Sequence, residues 1–134
     1  DELRRRVAEA AQYPVLKVKL GTDRDEEILR TVRDAAPGKA LRVDANAAWT
    51  PKQAVAMLPL LAEIGVELVE QPVPAGDVDG LRFVRERSPL PIIADESDGR
   101  ALRSGYRPRI VAHLANSLYD ARDIGLRCAV LHDN

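Results

Sequence analysis

From residue 13 to residue 97, short aliphatic and β-branched runs alternate with segments whose apolar positions recur every three to four residues, and the unit repeats about every 25 residues. Such alternation is the pattern of βα units around a parallel sheet. In the first run, residues 13–20, Leu16, Val18 and Leu20 share one face while Val15, Lys17 and Lys19 share the other, because successive strand side chains project to opposite sides. Thr22 and Asp23 predict the cap of a helix with the buried stripe Ile28, Val32 and Ala35 or Ala36, ended by Pro37-Gly38. Residues 41–45 predict a second strand. Thr50-Pro51 predicts the next helix start, since proline at the first helical position forfeits no intrahelical hydrogen bond. That helix has the stripe Val55, Leu58, Leu61 and Ile64 and stops at Gly65. A third strand over 67–70 ends at Gln71-Pro72, a third helix carries Val78, Leu81 and Val84 or Arg85, and a fourth strand covers 90–95. Residues 1–12 read as the end of an earlier helix.

After Ser97 the rhythm weakens. A short strand over 109–114, a helix over 115–125 and a strand over 126–131 are expected, with no pattern over 98–108. The chain therefore reads as one α/β domain, 1–134, with regular βα units over 13–97 and a diverged or disrupted stretch over 98–134.

Composition narrows the partners. The 134 residues are 46% hydrophobic and 31% charged, the balance of a soluble globular domain. Twenty basic against 21 acidic side chains leave a net charge of -1, too little of one sign to attract nucleic acid or an anionic membrane. Neither is expected as a partner. The single cysteine, Cys128, cannot form an internal disulfide and falls in an apolar strand pattern, where it reads as a small buried hydrophobe. No apolar run reaches a membrane span, and the first residues are charged rather than those of a signal peptide, so a cytoplasmic setting is expected.

The chemistry lies at the strand ends. Asp44, Glu70 and Asp95 follow Lys19 at intervals of 25, 26 and 25 residues, so each unit delivers one carboxylate to the same place. In both barrels and open α/β sheets that edge is where sites are built. Any one of these residues alone, or Lys17 and Lys19 as a pair, would suit a solvated strand end. Together they are unusual, because the inner face of a parallel sheet is normally apolar. Three convergent carboxylates repel unless a cation joins them, and an all-oxygen donor set favours Mg²⁺ with positions left for substrate oxygen. Lys17 and Lys19 point the same way, and a lysine beside a second ammonium and Mg²⁺ is expected to have a lowered pKa, as a general base needs. The metal would hold a substrate carboxylate while the lysine removes the α-proton, giving an enediolate. Trp49, the one tryptophan, reads as packing at a helix start, and His132 as solvated.

The strings Leu16-Lys17-Val18-Lys19-Leu20-Gly21, Val43-Asp44-Ala45-Asn46, Val69-Glu70-Gln71-Pro72 and Ala94-Asp95-Glu96-Ser97 resemble the enolase superfamily. The branch is the muconate-lactonising one, and within it the likeness is greatest to dipeptide epimerases acting on L-Ala-D/L-Glu. Superfamily sites pair a lysine or histidine base with Mg²⁺. The resemblance implies a (β/α)8 TIM barrel, with Asp44, Glu70 and Asp95 as Mg²⁺ ligands and Lys19 as acid/base. It implies that Lys17 tunes Lys19 or holds the substrate carboxylate, and that Asn46 is a polar neighbour of the metal. Glu96, next to a ligand, faces away as part of the barrel wall. The implied substrate is a small molecule, a dipeptide or another carboxylate.

Two departures accompany the resemblance. Two-base epimerases of the family use a second lysine after the Asp95-type ligand, yet no lysine follows Lys52; His113 is the one candidate replacement. A complete barrel takes about 200–250 residues or more, so the expectation is a partial barrel, about half of one, without the family's capping domain. The open strand edges of such a fragment favour self-association into a homo-oligomer. Three readings follow: an Mg²⁺-dependent racemase or epimerase, a cycloisomerase or o-succinylbenzoate synthase using the same residues, and a non-catalytic barrel remnant.

Overall fold

The computed structural model describes residues 2–94 and 128–131. Over them helices and strands alternate as α1 (Glu2–Glu9), β1 (Val15–Lys19), α2 (Asp25–Ala35), β2 (Ala40–Asp44), α3 (Pro51–Ile64), β3 (Val66–Glu70), α4 (Val78–Arg87), β4 (Ile92–Ile93) and β5 (Cys128–Leu131). The five described strands are parallel, in the order β4-β3-β2-β1-β5. That order suits either a barrel wall or an open sheet whose order reverses at β1. The helices decide it. α1 packs on α2, α2 on α3 and α3 on α4, so consecutive helices form one layer, as in the outer ring of a barrel.

The core lies between that layer and the sheet. Leu16, Val18, Leu20, Leu41, Val43 and Val69 are buried with Ile28, Leu29, Val32, Leu58, Leu61, Leu81 and Val84 in one cluster. These are the apolar positions that period-2 and period-3.6 spacing assign to the strands and helices. β5 pairs with β1 in register, Val15 opposite Cys128 and Val18 opposite Leu131, so the described residues 128–131 of the expected strand over 126–131 form a strand; residues 126–127 lie outside the description. The expected strand over 109–114 and helix over 115–125 lie outside the described residues, as do Asp95, Glu96, His113 and His132.

The start of α3 is as expected. Thr50 Oγ1 accepts from Gln53 N and Gln53 Oε1 accepts from Thr50 N, a reciprocal cap. Gly65 ends the helix in the left-handed region, φ 78°. Four local expectations need correction. Thr22 and Asp23 do not cap α2: Arg24 holds the N-cap position, its guanidinium donating to Glu27 rather than capping the helix, and Asp25 accepts the Gly21 and Thr22 amides instead. Ala54, not Val55, joins Leu58, Leu61 and Ile64 in the buried stripe of α3, because Val55 is displaced by about 100° at 3.6 residues per turn. β1 starts at Val15 and β4 spans only Ile92–Ile93, each following a proline that has no N–H to give the ladder.

Register between β2 and β3 carries the main surprise. Leu41 pairs with Val66 but Val43 pairs with Val69, so Glu67 and Leu68 stand against the single Arg42. This bulge adds one residue to β3, and its consequence is that Glu70 rather than Val69 lies opposite Asp44. Arg42 donates to Glu67 Oε2 at 3.2 Å across it.

Two side chains tie helix ends together. Arg33 donates to the carbonyls of Ile64 and Lys39, each at 2.8 Å, and to those of Ala36, Pro37 and Gly65 at 3.2–3.3 Å. Lys39 Nζ donates to the carbonyls of Ala10, Ala11 and Tyr13, holding α1 to the start of β1. Charged donors at helix C-termini satisfy carbonyls that have no intrahelical partner. Arg33→Met, which keeps the apolar stem, is expected to lower stability by about 2–3 kcal/mol. Urea denaturation with an unchanged slope checks this, and a loss below about 0.5 kcal/mol would show that water replaces the guanidinium.

Candidate functional site

Lys19, Asp44 and Glu70 stand at one level across β1, β2 and β3, because Lys19 pairs with Asp44 and Asp44 with Glu70. Lys17 lies two residues earlier on the same face. Asp44 and Glu70 are buried, at 5% and 6% exposure, and isolated buried carboxylates are costly unless partnered. Their partners are the lysines. Lys17 Nζ is 2.6 Å from Glu70 Oε2 and 3.3 Å from Asp44 Oδ2, while Lys19 Nζ is 2.5 Å from the same Asp44 oxygen. Sequence and structure thus agree that these four side chains converge at the C-terminal edge of the sheet.

Asn46 completes the group. Its backbone takes a positive φ of 50°, which turns the chain so that Asn46 N donates to Asp44 Oδ1 at 2.9 Å. Its Oδ1 accepts from Lys19 Nζ at 3.1 Å. Asparagine tolerates that conformation better than most residues.

In the metal-free chain the carboxylates govern the electrostatics of this edge. Burial is the strongest single influence on the Lys17 ammonium and opposes its charge, but the hydrogen bond to Glu70 and the charges of Glu70 and Asp44 outweigh it. The pKa of Lys17 is therefore raised in the metal-free chain, where two carboxylates surround this lysine. For Asp44 burial likewise pushes upward, yet the Lys19 bond, the Asn46 amide and both lysine charges win and hold its carboxyl below the ordinary aspartate value.

The described members of the expected acidic trio suit a hard cation in their chemistry. Two buried carboxylate oxygens converge on one positive centre, the Lys17 ammonium, and all-oxygen donors of this kind suit a hard cation. Among the described residues no group of three metal-binding side chains occurs; the expected third ligand, Asp95, lies outside them. The side chain of Cys128, in β5, is likewise outside the description.

The loops that carry these residues are tied in series by side chains that strand periodicity does not single out. Asp25, 5% exposed, accepts from Gly21 N, Thr22 N and Thr22 Oγ1 on the loop after β1. It also accepts from Trp49 Nε1 on the loop after β2, at 3.1 Å. Trp49 is buried, as its packing role predicts. Trp49 N and Ala47 N donate to the carbonyls of Pro72 and Gln71, and Gln71 N donates to Ile93 O. Gln71, 1% exposed at φ 40°, donates its Nε2 to Val73 O at 2.7 Å. The one sequence signal for Asp25 is an acid in the first turn of a helix.

The chain is similar to several known enzymes. Over 85 residues the chain is 45% identical to an L-Ala-D/L-amino acid epimerase of Maribacter sp., covering 63% of this chain and 25% of that protein. It is 43% identical over 93 residues to a chloromuconate cycloisomerase of Cupriavidus necator, covering 66% of this chain and 25% of that protein. A dipeptide epimerase of Enterococcus faecalis V583, solved with Mg and the dipeptide L-Leu-L-Tyr, superposes with a TM-score of 0.72 at 29% identity, over 97% of this chain and 42% of that one. The chain spans about a quarter of the length of the curated relatives it matches. No described helix is long and apolar enough to cross a membrane. The enolase C-terminal domain-like family matches residues 1–108, more than half of the sequence, and the chain belongs to it.

Proposed function

We propose that this chain carries the metal and lysine site of an isomerase, a racemase or epimerase that exchanges the α-proton of a carboxylate substrate, with a dipeptide as the substrate class. The observation that carries this reading is the alignment of Lys19, Asp44 and Glu70 across three adjacent strands. Asp44, Glu70 and Asp95 would hold Mg²⁺. When bound, the ion supplies a fixed positive charge that stabilises negative charge developing on the substrate carboxylate. Lys19, held by Asp44 and Asn46, would accept the α-proton in its neutral form and return it. Lys17 stands beside it, where its ammonium can steer a substrate carboxylate. The dipeptide assignment is supported by the 45% identity to the Maribacter epimerase.

Lys19 is the proposed base within residues 1–134, so the exchange expected of this chain is at the face that Lys19 addresses. The test is ¹H NMR of the purified chain with Mg²⁺ and L-Ala-L-Glu in D₂O. Loss of the glutamyl α-proton signal without inversion is expected. Absence of exchange in a folded sample would overturn the reading and leave a non-catalytic remnant. The similarity to a chloromuconate cycloisomerase supports a second reading, cycloisomerisation by the same residues, which turnover of a muconate but not of the dipeptide would favour.

A further inference from the structure

Asp25 is a buried carboxylate that the proposed chemistry does not use, yet it is the direct side-chain link between the loop after the lysine strand and the loop after the first carboxylate strand. Its Oδ1 and Oδ2 each lie 3.0 Å from Gly21 N, two residues beyond Lys19, and Oδ1 is 2.9 Å from Thr22 N. The Trp49 indole reaches Oδ2 from the far side at 3.1 Å. Trp49 in turn belongs to the turn that begins with Asp44 and Asn46. Both loops are pressed together there, and only a glycine at position 21 permits it: a Cβ on it would lie 2.6 Å from Ala48 Cβ. An aspartate at the first helical position needs only solvent and the free amides of its own helix. This one instead reaches outward to two loops, and its oxygens are saturated by amide, hydroxyl and indole donors.

We infer that Asp25 is a positioning residue, which sets where Lys19 stands relative to Asp44 and Asn46 by clamping Gly21 and Thr22 to Trp49. The inference rests on the proposed roles of Lys19 and Asp44, but the placement it describes is a property of the metal-free chain. Asp25→Asn keeps one acceptor oxygen for the Gly21 and Thr22 amides and turns an NH₂ against the indole N–H, so the link to Trp49 opens while the helix start is retained. Trp49→Phe removes the indole donor alone.

The test uses the full chain with lysines labelled at ¹³Cε, whose four signals are assigned by single Lys→Arg changes. Because Trp49 is the one tryptophan, its indole N–H resonance reports the bond directly. In Asp25→Asn the indole signal is expected to move upfield and the Lys19 signal to shift by more than that of Lys52. The Lys39 signal, at the opposite end of the sheet, and the circular dichroism spectrum are expected to stay unchanged. An indole signal that moves while Lys19 does not overturns the inference and reduces Asp25 to a helix-start residue. Should Asp25→Asn fail to fold, Trp49→Phe decides the matter by the same Lys19 criterion. Mn²⁺ added to the unaltered chain separates the two ideas: failure to broaden the Lys17 and Lys19 signals sinks the metal reading, while the Lys19 shift in the variants still judges the clamp.

Discussion

Lys19→Met is expected to slow solvent exchange of the substrate α-proton by about 10²- to 10⁴-fold, the usual contribution of a positioned acid/base group. Mg²⁺-dependent thermal stabilisation should survive it. Methionine keeps the length of the stem and removes the ammonium, so Asp44 loses one of its two lysine contacts but retains Lys17 at 3.3 Å. Glu70→Gln should do the reverse in order of cause. It removes a charged ligand candidate next to Asp44, so the Mg²⁺-dependent rise in melting temperature should vanish, and exchange with it. Thermal scans with and without Mg²⁺, run beside the deuterium-exchange assay, separate the two roles. Equal exchange in Lys19→Met and the unaltered chain would place the base elsewhere. An unchanged Mg²⁺ response in Glu70→Gln would place the ion elsewhere.

A second large effect is expected from Gly21→Ala. Gly21 adopts φ +111°, a region that residues with a Cβ rarely enter. The added methyl would also lie 2.6 Å from Ala48 Cβ and 3.1 Å from Ala45 O, and neither neighbour is the far end of a flexible side chain. Backbone strain of about 1–3 kcal/mol and overpacking of similar size should combine to cost roughly 3 kcal/mol, measured by urea denaturation. A loss below about 0.5 kcal/mol would mean that the two loops separate at little cost, which would also weaken the clamp assigned to Asp25.

Much of the site was legible because its chemistry repeats with the architecture. Each βα unit is about as long as the next, so equal spacing in sequence becomes one level in space, and Lys17, Lys19, Asp44 and Glu70 meet as the intervals predict. The interval of 26 between Asp44 and Glu70, against 25 between Lys19 and Asp44, is the added residue of the β3 bulge. The number was visible; its meaning required the ladder. The raised pKa of Lys17 in the metal-free chain has a related reason: periodicity tells which charges share a face, while distance decides which of them governs a given group.

Helix periods, the reciprocal cap at Thr50, the stop at Gly65 and the stacking of carboxylates all follow from contacts a few residues apart or from a repeated unit length, and these the amino-acid order determined by itself. The fan of carbonyls around Arg33, the bonds of Lys39 to Ala10, Ala11 and Tyr13, and the bridge from Asp25 to Trp49 were decided only by the tertiary structure. Most of these bonds join groups more than twenty residues apart, and a backbone carbonyl carries no mark in the sequence of which distant cation or indole will face it once the sheet has formed.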